Sequence, residues 1–221
     1  MTAELVTAAP APSASMAERT YHTLRDRLTL LDIAPGAPLS EAALSRELDV
    51  GRTPLREALK RLEADHLVVT FARRGTFAAN VDLTEITPIS EMRRVLVPLA
   101  AHRAASFTGG EVRGELAEAL DAIRETASDA DRRHLMELDL RVHRLISQAA
   151  RSPHLEEALV RLDNLVTRMW CLIMDRLPPM EGHIGEHLAL VERILAGDEE
   201  RAERLAREHV AHFDDAARSV L

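Results

Sequence analysis

The sequence predicts a mainly α protein in two parts: a small N-terminal unit of helices with one β-hairpin, then a larger all-α antiparallel bundle. Three observations predict it. Apolar residues recur at three-to-four residue spacing through most of the chain. A β-prone stretch stands out between Leu67 and Ala79, and no strand pattern follows it. Charge is divided unevenly, with 10 basic and 9 acidic side chains in residues 16–80 but 18 and 26 in residues 81–221.

Met1 to Ser15 is Ala, Pro, Ser and Thr with almost no charge and no basic start, and reads as a disordered tail rather than a leader. Residues 16–80 form the small unit. Ala43, Leu44, Leu48 and Val50, then Leu55, Ala58, Leu59 and Leu62, mark two short helices with one face toward a core. Ser40 is an N-cap with Glu41 in the first turn, and Asp49-Val50-Gly51 is the break. Thr53 is expected to cap the next helix, with Pro54 at its first position.

That places Arg52, Thr53 and Arg56 at the exposed start of the second helix, with Lys60 and Arg61 a turn further on. Leu67–Phe71 and Thr76–Ala79 are two short strands around Ala72-Arg73-Arg74-Gly75, a turn with Gly where φ is positive. An Arg-rich amphipathic helix alone is often plain surface. Helix, helix-turn-helix and a hairpin tipped by two arginines together make a winged-helix reader of double-stranded DNA. Arg at a helix start can donate two parallel bonds to guanine, while Thr53 and the helix N–H groups suit a phosphate.

After a linker at 81–84, segments near 85–107, 111–127, 131–150, 154–177, 181–196 and 199–219 read as helices. The breaks fall at Thr108-Gly109-Gly110, Ser128-Asp129, Ser152-Pro153, Pro178-Pro179 and Gly197-Asp198. No apolar run approaches a membrane span, and a single cysteine, Cys171, excludes an internal disulfide and fits the cytosol. Beside Trp170 in an apolar helix, Cys171 is expected in the core. The chain has no Gly-rich phosphate loop, no serine nucleophile elbow and no paired cysteines. Lysine occurs once against 27 arginines, the bias of GC-rich bacterial coding. An acidic second half keeps off phosphates and leaves DNA affinity to the small basic face.

The chemistry of that second half lies in its histidines. Asp139 and His143 stand at i and i+4, which points a carboxylate and an imidazole the same way. His187 precedes Gly197 by 10 residues and His209 follows Asp198 by 11, so a fold-back at that break brings both to one height. Such a set of three imidazoles and one carboxylate suits Zn²⁺ or Ni²⁺ with room for a ligand oxygen. Spacing alone leaves other sets open: His183 and His187 are also i,i+4, and His212 can replace His209 on a rotated helix. A surface Asp/His ion pair is the bland alternative.

The small unit resembles the GntR family of bacterial transcription regulators. The resemblance rests on Pro35-Gly36, Val50, Arg52-Thr53-Pro54 and Arg56-Glu57-Ala58-Leu59, with Gly51 where the family usually has a hydroxyl. It implies that Arg52, Thr53, Arg56 and Gly75 touch the operator, beside Lys60, Arg73 and Arg74. The second half resembles the FCD domain of the fatty-acid-regulator branch. That resemblance implies metal ligation by Asp139, His143, His187 and His209, and a small carboxylate effector held by Arg93, with Arg168 as a second candidate. Val97-Pro98 departs from the family's Glu before the proline. The expectation is a cytoplasmic homodimer, a repressor that reads a palindromic operator and responds to an acid. Two rivals are a metal-free version holding an acyl chain and a metal-dependent hydrolase with an accessory DNA-binding domain. No general acid or base stands out beside the ligands to support the latter.

Overall fold

The fold is taken from a computed structural model that describes residues 15–126, 130–177 and 179–221. The tail up to residue 14 and the breaks read at Ser128-Asp129 and Pro178 lie outside the described residues. The chain divides between Asp82 and Leu83 into two compact units.

In the first unit, α1 (Met16–Thr29) starts where Ser15 Oγ accepts from the Glu18 N–H at 3.1 Å. Its Leu24 and Leu28 are fully buried, and it packs against α3 (Arg52–Ala64), whose Leu55, Ala58 and Leu62 are fully buried as well. Between them run β1 (Pro38–Leu39) and α2 (Glu41–Glu47), the latter capped by Ser40 Oγ at 3.3 Å from the Ala43 N–H. On so short a helix only Leu44 is buried; Ala43 is exposed and Leu48 half-buried, which corrects the wider apolar face expected. The start of α3 also differs. Gly51 is its N-cap and Thr53 lies inside the first turn, because Asp49, at φ 48°, makes the left-handed step that frees α3 to begin earlier.

The hairpin pairs β2 (Val68–Phe71) with β3 (Gly75–Ala78), Phe71 opposite Gly75 and Thr70 opposite Thr76. Arg73 at φ 64° and Gly75 at φ 96° take the left-handed backbone the tight turn needs. A third strand was not expected. β1 pairs with the other edge of β3, giving the order β1-β3-β2. Gly36 at φ 76° lets its N–H reach Ala78 O at 3.0 Å, while the Ala78 N–H donates to Ala37 O at 2.9 Å. The Pro35-Gly36 pair is thereby the hinge that lays β1 beside the wing.

The second unit holds α4 (Ile86–Ser106), α5 (Glu111–Glu125), α6 (Arg132–Ala149), α7 (Pro153–Ile173), α8 (Glu181–Ala196) and α9 (Glu199–Arg218). A 3₁₀ turn at Leu83–Glu85 precedes α4, and another at Met174–Arg176 ends α7 earlier than expected. α4 lies along α9 and touches α6, α7 and α8; α8 packs on α9, α5 and α6. Ser90 donates to Asp214 Oδ1 at 2.7 Å and Arg94 to Asp214 Oδ2 at 3.1 Å, fastening α4 to α9. α8 ends at Gly197, φ 74°, where the Asp198 N–H returns to Arg193 O at 3.0 Å. Asp198 then caps α9, its Oδ1 accepting from the Arg201 N–H. This two-residue reversal sets His187 and His209 side by side. Cys171 is half-buried, not core, because α7 turns Trp170 and Ile173 inward instead.

Candidate functional site

The cationic face comes first. Arg52, Thr53, Arg56 and Lys60 on α3 are all exposed, as are Arg73, Arg74 and Gly75 at the wing tip. Leu55, Ala58, Leu59 and Leu62 anchor the opposite face of α3, so its first turn is held outward by its own core. Arg56 Nε donates to Glu41 Oε2 at 2.9 Å, with the Arg56 side chain 67% exposed. That bond steers the guanidinium without covering it. Arg74 lies 5.7 Å from the exposed Phe71 ring. Arg61 is engaged elsewhere, stacked 4.0 Å over Tyr21, whose hydroxyl donates to Asp65 at 2.6 Å.

In the second unit, Asp139, His143, His187 and His209 converge. One ligand atom of each lies within 4.8 Å of the other three, and all four residues are buried. Asp139 Oδ1 stands 3.6 Å from His187 Nε2 and 3.8 Å from His143 Nε2, and His209 Nε2 faces His143 Nε2 at 3.3 Å. Neighbouring ligands of one small cation, at bonds of about 2.1 Å, are roughly 3–3.4 Å apart. His187 makes the strongest argument. Neither of its ring nitrogens has a hydrogen-bond partner among the described residues, although it is fully buried. An orphaned buried group of this kind costs about 1–3 kcal/mol unless something meets it. A divalent ion is such a partner, and one carboxylate with three imidazoles is a donor set for Zn²⁺ or Ni²⁺.

Electrostatics prepare the same atoms. Burial pushes His143 and His187 below the usual imidazole range, and with the charge of His183 holds His209 down at about 3. Burial works to raise Asp139, but His143 and the bond from His183 outweigh it and keep the carboxylate ionised. For His143, His187 and His209 burial favours the neutral imidazole, the form that metal binding requires. The unfolded chain takes up protons near 6.5 that these folded imidazoles refuse, so metal-free stability falls as pH drops below 6.5 toward 3. His212, raised by its bond to Glu186, opposes this, but it is exposed and solvent-screened. The metal-free protein is expected to melt lower at about pH 5 than at about pH 7.5. An unchanged melting temperature contradicts it.

Glu186 was not singled out by sequence. Its Oε2 accepts from His209 Nδ1 at 2.9 Å and its Oε1 from His212 Nδ1 at 2.8 Å. The bond at Nδ1 leaves the His209 lone pair on Nε2, aimed at the cluster. Its position beside His187 was the only sequence signal. His212 itself stays outside the cluster, its side chain 63% exposed. His183 enters, its Nε2 donating to Asp139 Oδ1 at 2.8 Å.

Arg93 and Arg168 are both buried. Arg93 Nε donates to Asp163 Oδ1 at 2.8 Å, and its guanidinium lies 5.0 Å from the Trp170 ring. Asp163 is a partner that sequence did not reveal. The pair neighbours the imidazoles, since both its charges act on His143. Arg93 Nη1, Asp163 Oδ2 and Trp170 Nε1 are buried without hydrogen-bond partners among the described residues. Burial lowers Arg168 to about 10.

Two family comparisons cover most of the chain. Residues 16–78 match "Bacterial regulatory proteins, gntR family", and residues 88–212 match the FCD domain. The chain belongs to the GntR family. It is a DNA-binding transcription regulator, and the family's members are regulators, not enzymes. The HTH-type transcriptional repressor RspR of Escherichia coli is 25% identical over 209 residues, 95% of this chain and 92% of RspR. A probable D-xylose utilization operon transcriptional repressor of Paenarthrobacter nicotinovorans is 31% identical over 182 residues, 80% of this chain and 78% of its own. The solved structure of E. coli McbR/YncC superposes with a TM-score of 0.78 at 20% identity, covering 93% of this chain and 98% of that one, and shares the fold. FCD domains of GntR regulators take small-molecule effectors and often bind metal. Among the described residues, no helix is long and apolar enough to cross a membrane.

Proposed function

We propose that this GntR regulator is a cytoplasmic homodimeric repressor whose second unit binds one divalent ion and a small carboxylic acid. The observation that carries the proposal is the convergence of Asp139, His143, His187 and His209 beside the buried Arg93–Asp163 pair. The reading head is residues 16–80 and the sensor residues 85–221. Arg52 and Arg56 read the operator, with Thr53, Lys60, Arg73, Arg74 and Gly75 on its backbone. Asp139, His143, His187 and His209 hold the ion, Zn²⁺ or Ni²⁺ by donor type, and it offers a carboxylate oxygen a Lewis-acid attachment point.

The residues do the rest. Arg93 presents the unpartnered Nη1 to the acid, with Arg168 as a second buried cation. An entering carboxylate competes with Asp163 for Arg93, so the buried ion pair is the element that effector binding rearranges. A metal-free acyl cavity gains no support from so many orphaned polar atoms. The names of the relatives support repression.

The test is a screen of sugar acids, hydroxy acids and dicarboxylates on metal-loaded protein, read by melting temperature and by affinity for its own promoter DNA. One class of acid is expected to raise the melting temperature and to change DNA affinity about 5- to 150-fold, a coupling of about 1–3 kcal/mol. If no acid moves either quantity, the effector reading fails.

A palindromic operator needs two heads. α4 exposes Met92, Val95 and Leu99 at 47%, 66% and 46%, a stripe at i, i+3 and i+7 that suits a second copy. Val95→Glu is expected to turn the dimer into a monomer in analytical ultracentrifugation. A variant that sediments as wild type places the interface elsewhere.

A further inference from the structure

Of the large apolar side chains exposed among the described residues, Phe71 is the only aromatic one, 47% exposed at the end of β2. The register of the sheet shows what surrounds it. Phe77 stands opposite Pro38 on one side and Val69 on the other, and Phe71 and Gly75 form the next pair on that same face. The other face carries Leu39, Thr76, Val68 and Ala78, all buried. Once that core face is covered, the outward face is still apolar: Val69 and Phe77 are half-buried, and Pro38 and Phe71 are exposed.

The ring does not hang free at the wing tip. It meets Phe77 edge-on, centroids 5.8 Å apart and planes at 66°, and the Arg74 guanidinium lies 5.7 Å from its centroid. The Arg74 N–H donates to Phe71 O at 3.1 Å, so ring and cation ride on one closed turn. Across the ladder is Gly75, and nothing lies within 4 Å of the place its Cβ would take. The position opposite Phe71 is therefore open, with a cation beside it. Residues 50–80 hold 6 basic and 3 acidic side chains, so this apolar spot sits in a field that draws a polyanion. A duplex offers both halves of the match: phosphates for the arginines, and deoxyribose carbon along the walls of the minor groove for the ring.

Resting on the reading of the wing as a DNA contact, we propose that Phe71 is an apolar contact to the operator. Its ring packs on a deoxyribose in the wall of the minor groove, while Arg73 and Arg74 take the neighbouring phosphates. The two kinds of contact differ in how they respond to salt. A guanidinium on a phosphate releases a condensed counterion, whereas a ring that leaves water for a sugar releases none.

The test compares Phe71→Ser, Phe71→Leu, Arg73→Ala and Arg74→Ala in the full chain on its promoter DNA. Anisotropy at several salt concentrations gives affinity and salt slope, and hydroxyl-radical footprinting gives the exposure of each deoxyribose. Phe71→Ser is expected to bind about five- to tenfold more weakly with the wild-type salt slope. At saturation it should expose individual sugars that wild type covers, while guanine N7 in the major groove stays protected from methylation. Phe71→Leu, still apolar, should keep most of the affinity and the footprint. Arg74→Ala should instead lower the slope by about 1. Phe71→Ser with wild-type affinity and footprint overturns the proposal and leaves the wing reading standing. A slope that falls in Phe71→Ser as it does in Arg74→Ala also overturns it, because the ring then only props the arginine. Arg73→Ala and Arg74→Ala that both bind as wild type overturn the wing reading as well.

Discussion

Arg52→Ala and Arg56→Ala each lower sequence-specific DNA affinity by about 1–3 kcal/mol, roughly 5- to 150-fold, and leave binding to random DNA much less affected. The expectation follows from how the small unit folds. Leu55, Ala58, Leu59 and Leu62 bury one face of α3, which turns the two arginines to solvent on its first turn. A guanidinium there can donate to guanine through two parallel N–H groups, and the 2.9 Å bond from Arg56 Nε to Glu41 limits its wandering beforehand. Lys60→Ala should act differently, weakening all sequences alike and lowering the salt slope by about 1. Fluorescence anisotropy on promoter and scrambled DNA at several salt concentrations separates the two behaviours. Unchanged promoter specificity in both arginine variants would remove α3 from the reading face.

His187→Leu abolishes the gain in stability that metal brings, without costing the metal-free protein stability of its own. The wild-type chain, with metal at 100 times its dissociation constant, should gain about 2.7 kcal/mol, or about 5–11 °C for a chain of this size. The variant should gain none. The reason is the orphaned state of the ring: both nitrogens of His187 are buried without a hydrogen-bond partner among the described residues. Exchanging them for an apolar side chain of similar bulk removes a desolvated polar group, which is neutral or stabilising. A histidine kept for packing would behave in the opposite way, with a lower metal-free melting temperature and an undiminished response to Zn²⁺ or Ni²⁺. Glu186→Gln is milder, because it disturbs the orientation of His209 rather than a donor, and should weaken metal affinity about 10- to 100-fold.

Most helices of the second unit were readable because they carry an apolar stripe of their own, and α8 and α9 end and begin at Gly197-Asp198 as their turn chemistry dictates. Ser40 as a cap and Arg73 to Gly75 as a hairpin turn were readable for the same local reasons. What local chemistry cannot hold was missed. β1 is two residues long and exists only through its pairing with β3, so no periodicity announces it. The α3 start lies two residues before the expected one, with Gly51 rather than Thr53 as the N-cap.

At the sensor, spacing left His209 and His212 interchangeable, since a modest rotation of α9 exchanges them. The packing of Phe213 against Trp170, ring centroids 4.1 Å apart, accompanies the rotation that buries His209 and leaves His212 outside with Glu186. Asp163 lies 70 positions from Arg93, and no rule of spacing links them. The resemblance supplied Arg93 as an arginine of the cavity; only the folded chain shows that it is already met by a carboxylate.

Metal content is the most direct measurement of the account, taken on protein purified without chelator or metal-affinity resin, by elemental analysis and then by titration of the stripped chain. The account predicts a single first-row divalent ion per chain, absent from His187→Leu and restored to stripped wild type by Zn²⁺ or Ni²⁺ with a higher melting temperature. Wild-type protein that carries no ion, and melts at the same temperature with and without added metal, would contradict it.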